Sequence, residues 1–186
     1  AAGSYGAVNL NAPASGTTVI TIKAATIPNH GPASDWNNAF AGQAVFSGVN
    51  SIGSNYWTIN GQERGADWQS GYNIKFWNAN DGNNYALGYG NGGTLTGLTL
   101  DYVEILGTDQ VGAAYSDSGF YCITACSNLY IGHSWIHNVG SDNISNNPGT
   151  NGGNGQMFEY NYISFNHRGY NSTHSQCIQT TASNIT

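Results

Sequence analysis

Two stretches hold most of the residues that could do chemistry. Residues 128–145 read NLYIGHSWIHNVGSDNIS and carry His133, Trp135, His137 and Asp142. Residues 166–176 read NHRGYNSTHSQ and carry His167, Arg168 and His174. Imidazoles move protons near neutral pH and ligate metals, and a guanidinium neutralises an anionic group on a substrate. Histidines that share a metal on a strand commonly stand two apart, whereas His133 and His137 are expected on opposite sides of a corner, separated by a strand, so their spacing offers no ready chelate. The alternative role for both is as imidazoles within stacked aromatic or polar ladders. Arg168 and His174 pair a fixed cation with a base, the combination that labilises a proton beside a carboxylate. The three cysteines lack zinc-site spacing. Cys122 and Cys126 could bridge one corner or remain buried thiols, and Cys177 is expected two coils from Cys122, beyond disulfide reach. No phosphate-binding loop, Gly-x-Ser-x-Gly elbow or His-Glu-x-x-His helix is present.

The elements that position these residues follow from composition. Charged residues are 8% of the 186 positions, against the usual quarter, so neutral polar groups must keep the chain in solution. Gly (26) and Asn (25) favour turns, while the abundant Thr, Ile, Val, Tyr and Trp favour strands. The net charge of −6 with only four cations excludes a basic nucleic-acid surface. No apolar run approaches the roughly 18 residues of a membrane span.

Repetition is the stronger signal. LTLDYVEI (98–105), LYIGHSWI (129–136) and MFEYNYI (157–163) each place two apolar residues five apart around a short corner. Further short strands, FYCIT, DNIS and QCIQT, accompany them, and CITACSNLY from Cys122 resembles CIQTTASNIT from Cys177. Strands this short at a period in the high twenties to low thirties predict a β-solenoid whose coils share one core. In that register Leu100, Ile131 and Phe158 point inward, as do Ile105, Ile136 and Ile163. Glu104, Trp135 and Tyr162 form one outward ladder. Tyr102, His133 and Tyr160 share a corner column, and Leu106, His137 and Ser164 share another. An immunoglobulin-like sandwich fits less well, because it needs longer alternating strands and hairpin turns.

The segment VITIKAAT…GQAVFSG…YWTINGQ (19–62) resembles the opening coil of right-handed parallel β-helix proteins of the pectate-lyase-like superfamily, with its three strands as three sides of one turn. SNLYIGHSWIHNVGSDNIS is similar to that superfamily's generic repeat. The resemblance implies an all-β, single-stranded right-handed parallel β-helix of about six coils over residues 1–186, with long loops at corners. Residues 26–41 and 146–155 are expected to be such loops. No C-terminal cap is visible, so the chain is either a piece of a longer solenoid or is covered by another chain.

The resemblance also implies a secreted, carbohydrate-active protein that binds or cleaves a polysaccharide on an outer face. Tyr130, Trp135 and Tyr162 would stack on sugar rings, with His133 and His137 beside them; the alternative is packing within surface ladders. Arg168 and His174 are the candidate catalytic pair of a lyase. In the similar STxxxHSE pattern of some secreted β-helix proteins, the acidic residue is replaced here by Gln176, so an acid or base role does not carry over. A calcium-dependent site would need clustered carboxylates, and Asp101, Glu104, Asp117, Asp142 and Glu159 are spread over several coils. Calcium is the cofactor such a lyase would use, and no clear acidic cluster in the sequence supports it. Asn143, Asn171 and Asn184 begin Asn-x-Ser/Thr triplets, which are glycosylation acceptors in a compartment that modifies them. The competing expectation is a structural subunit of an extracellular fibre or surface layer. Such a subunit would stack head-to-tail through strands such as SNIT at one end and AVNL at the other.

Overall fold

A computed structural model describes residues 1–12, 16–30, 34–78, 85–90, 93–108, 118–146, 153–166, 176–180 and 183–185. The chain is a parallel β-helix of six coils. Coil 1 comprises β1 (Gly3–Tyr5), β2 (Asn9–Leu10) and β3 (Ile20–Lys23), and coil 2 comprises β4 (Ala44–Ser47), β5 (Asn50–Ile52) and β6 (Trp57–Asn60). Coil 3 holds β7 (Ile74–Trp77), β8 (Tyr85–Tyr89) and β9 (Leu95–Asp101), and coil 4 holds β10 (Val103–Leu106), β11 (Ser118–Cys122) and β12 (Cys126–Gly132). Coil 5 holds β13 (Trp135–Val139), β14 (Ile144–Asn146) and β15 (Asn154–Glu159). Coil 6 holds β16 (Tyr162–Asn166), β17 (Ile178–Thr180) and β18 (Ser183–Ile185). The first, second and third strands of successive coils pair in parallel as three six-stranded sheets, A, B and C.

Register fixes the columns. In sheet A, Gly3 lies opposite Ala44, Ala44 opposite Ile74, Ile74 opposite Val103, Glu104 opposite Trp135, and Trp135 opposite Tyr162. Successive coils therefore take 41, 30, 29, 31 and 27 residues, and the longer early coils carry extended corners. In sheet C, Ile22, Ile59, Leu100, Ile131 and Phe158 form one inward column. Of these, Ile59, Leu100 and Ile131 are fully buried, while Phe158 and Ile22 pack against the core with one side less covered. Ile105 and Ile136 are fully buried in sheet A, and Ile163 packs against them. Each such aliphatic side chain contributes about 2 kcal/mol of burial. The inward columns read from the repeat are those of the structure. So is the tail register, since Gln156, one position before the Tyr130–Met157 pair, faces Ile185.

One polar residue enters the core column of sheet B. Asn50 is fully buried opposite Leu87. Its Oδ1 accepts from Val8 N at 2.9 Å, and its Nδ2 donates to Gly48 O and Ala86 O at 3.0 Å and to Phe46 O at 3.2 Å. A buried amide with all its partners costs little and ties three coils together.

The structure corrects two expectations. The ITIK strand and the WTIN strand are not two sides of one turn: β3 pairs with β6 in the same sheet, one coil apart. The missing side is NSI, β5, too short and polar to stand out. Asn154 and Gly155, placed in a loop, belong to β15. Within residues 26–41, Thr26 and Asn29 form an isolated bridge and Asn38–Phe40 a 3-10 turn capped by Asn37. Cys122 and Cys126, both fully buried, form a disulfide with Cα atoms 6.2 Å apart. Among the described residues, no helix is long and apolar enough to cross a membrane.

Candidate functional site

Ionisable side chains are scarce in this chain, yet they gather at one corner, where sheet C hands over to sheet A. From coil 3 upward the turn is made by a single residue with positive φ: Tyr102 (54°), His133 (50°) and Tyr160 (52°). A left-handed conformation costs a non-glycine residue about 1–2 kcal/mol. Ring stacking offsets part of it, at about 0.5–1.5 kcal/mol per aromatic pair. The Tyr102 and His133 ring centroids lie 4.7 Å apart and those of His133 and Tyr160 5.2 Å apart, all nearly parallel. Ser134 and Asn161 lock the backbone. Ser134 Oγ accepts from Val103 N and donates to Gly132 O, and Asn161 accepts from Ser134 N and donates to Ile131 O.

On the sheet C side, Asp101, Gly132 and Glu159 share an outward column. Asp101 Oδ1 lies 2.9 Å from His133 Nδ1, so the carboxylate orients the imidazole. Tyr130 folds over Gly132, where any Cβ would collide with its ring, and its hydroxyl donates to Glu159 Oε1 at 3.0 Å. Burial, then the bond to Glu159, push the Tyr130 hydroxyl well above the usual tyrosine range, so it stays a donor.

On the sheet A side, Lys75, Glu104, Trp135 and Tyr162 form the outward ladder. Glu104 belongs to the outer face but is not exposed, at 7%. Its Oε1 meets Lys75 Nζ at 2.7 Å and His137 Nε2 at 3.2 Å, and its Oε2 accepts from Gln43 Nε2 at 2.8 Å. Burial alone would raise its pKa. The bonds from His137, Lys75 and Gln43, with the Lys75 charge, outweigh burial and hold it below the ordinary glutamate value. The Trp135 ring stacks on His137 at 3.4 Å and its Nε1 donates to Ser164 Oγ. Lower down, the extended corner at residues 61–73 reaches the same place. Arg64 stacks over the Trp68 ring at 3.6 Å and donates to Tyr160 O at 2.9 Å.

Of the residues singled out in the sequence, Tyr130, His133, Trp135, His137 and Tyr162 come together at this corner. Arg168, His174 and Asn171 lie outside the described residues. Asn184 lies in β18. Asn143 is fully buried, with its amide donating to Ile136 O. Asp101 and Glu159 are far apart in sequence but only two coils apart in space, because coils stack at ordinary strand spacing of about 4.8 Å. The 101/132/159 column was readable from the same alignment that gave 102/133/160. The roles of Lys75 and Arg64 were not. Among the described residues no group of three or more His, Cys, Asp or Glu could hold a metal ion. Chemically, the corner offers aromatic faces, two carboxylates and an imidazole held by one of them.

No family model, curated protein or solved structure matches this chain. The class its fold defines is therefore the parallel β-solenoid.

Proposed function

We propose that the protein is a secreted β-helix of pectate-lyase-like type that binds a polysaccharide along the C-to-A corner and the adjoining outer face of sheet A. The observation that carries this reading is the set of rings there. Tyr160, 62% exposed, is the most exposed large hydrophobic side chain among those described, and partly exposed Trp135 and Tyr162 belong to the same corner. Flat rings flanked by carboxylates and amides match the alternating apolar faces and hydroxyl edges of sugars. Secretion is supported by the Cys122–Cys126 disulfide, which persists in an oxidising compartment. Replacing both Trp135 and Tyr162 by Ala should abolish retention on immobilised polysaccharide. A parent protein that no acidic or neutral glycan retains would end the proposal.

A structural reading has its own support in the first coil. Among the described residues, β1, β2 and β3 each pair on one side only, and Val8, Leu10, Ile20 and Ile22 are only partly buried. A second copy stacked there would complete them in a contact that does not close, giving filaments. Light scattering of this 186-residue chain across a concentration series tests it: growth with concentration is expected, and a concentration-independent monomer rejects axial stacking.

A further inference from the structure

Resting on the polysaccharide reading, we infer that the ligand of this corner is an uncharged glycan, whose hydroxyls donate to Asp101 and Glu159 while its ring faces pack on Tyr160 and Tyr162. The argument is one of charge and unused acceptors. Asp101 commits Oδ1 to His133 and Glu159 commits Oε1 to Tyr130, which leaves the second oxygen of each carboxylate for an incoming donor. The two residues are separated by one coil, and that coil contributes Gly132 to their column. They therefore form a pair of acceptors about 10 Å apart at the backbone, spaced along the solenoid axis.

Among the described residues, two of the three cations are committed, and the third, exposed Lys23, lies two coils below Asp101 in the same column. Lys75 is held on Glu104 at 2.7 Å, and Arg64 is spent on the Trp68 face and the Tyr160 carbonyl. Among the described residues, Glu63, Asp67, Asp101, Glu104 and Glu159 belong to this corner and its approaches, against Lys23, Arg64 and Lys75, and the whole chain carries −6. A polyuronate would bring its charges against this surplus, and like charges brought together across an interface are strongly disfavoured. A neutral sugar hydroxyl instead makes a charge-assisted bond to each carboxylate, the stronger kind of hydrogen bond.

The test is titration calorimetry with three soluble probes: hydroxyethylcellulose or laminarin as neutral glycans, polygalacturonate as polyanion, and chitosan oligosaccharide as polycation. Each is run at about 20 and about 500 mM NaCl, where screening separates charge-driven from neutral binding. The expected result is binding of a neutral glycan with little salt dependence and none of polygalacturonate. Asp101→Asn and Glu159→Gln should each weaken binding roughly tenfold. Tyr160→Ala, whose ring is mostly in solvent but stacks on His133, should weaken it and lower the unfolding temperature by only about a few degrees, which guards against misfolded variants. Polygalacturonate binding as tightly as a neutral glycan would overturn the inference and leave the polysaccharide reading standing. Binding confined to chitosan and lost at high salt would overturn it in the same way. Retention of full affinity by the Asp101→Asn, Glu159→Gln double variant would remove the carboxylates from the site. No binding to any of the three would end both the inference and the reading beneath it.

Discussion

The C-to-A corner is built in two ways along the length of the molecule. In coils 1 and 2 it is expanded: the chain leaves β3 at Lys23 and re-enters at Ala44, and leaves β6 at Asn60 and re-enters at Ile74. These segments are held by side chains that happen to meet. Gln62 bonds Asn29, the His30 and Trp36 rings stack at 4.5 Å, and Arg64 covers Trp68. In coils 3 to 5 the same corner is one residue with positive φ, and register alone stacks Tyr102, His133 and Tyr160. The tight corner is a property of the repeat, in which each coil templates the next. The expanded corner is a property of its particular residues, and it brings Arg64 to the site.

The largest expected contrast lies in the column the two regions share. Ile131→Ala, in the fully buried upper part, should cost about 3–4 kcal/mol in denaturant unfolding, and Ile22→Ala, in the half-covered first coil, about 1 kcal/mol. Equal costs would mean that the lower coil is as well packed as the upper ones. Next comes the junction. A Cβ at Gly61 would strike the Tyr102 carbonyl, so Gly61→Ala should destabilise by about 2 kcal/mol through forced overpacking. No change in Tm would show that the expanded corner yields freely.

A smaller effect is confined to acid pH. The folded pKa of Glu104 is lowered, so its contribution to stability is complete above the ordinary glutamate value. It is lost as pH falls through the lowered value in the fold. Glu104→Gln should therefore flatten the acid side of the stability curve, and an unchanged curve would deny that the Lys75–Glu104–His137 cluster matters to folding. The smallest effect belongs to Arg64. Its cation–π contact is exposed, so Arg64→Met should change stability by no more than about 0.5–1 kcal/mol.

This division also marks what the sequence made legible. The repeat from Leu98 to Ile163 yielded the fold class, the inward columns and the Tyr102–His133–Tyr160 corner, because in a solenoid equivalent residues recur at nearly fixed spacing. It failed where coils lengthen. The spacing from Ile20 to Trp57 is not a repeat a reader would trust, so ITIK and WTIN were assigned to one turn, and the three-residue NSI went unseen. The candidate site was half legible. Its aromatic residues stood in alignable columns, whereas Lys75 and Arg64 lie outside the repeat read from Leu98 to Ile163, and Glu104 looked exposed because sequence periodicity shows which face a residue takes, not what covers it. Asn143 shows the same limit, as a triplet that reads as a surface acceptor yet sits inside the coil.

The central claim is that the upper corner is a glycan-binding surface, and affinity electrophoresis through gels cast with and without a neutral polysaccharide tests it most directly. The account predicts that the parent protein is retarded in the glycan gel and that a Trp135→Ala, Tyr160→Ala, Tyr162→Ala variant, still folded by its far-ultraviolet spectrum, runs as it does in the empty gel. Equal retardation of parent and variant would contradict it.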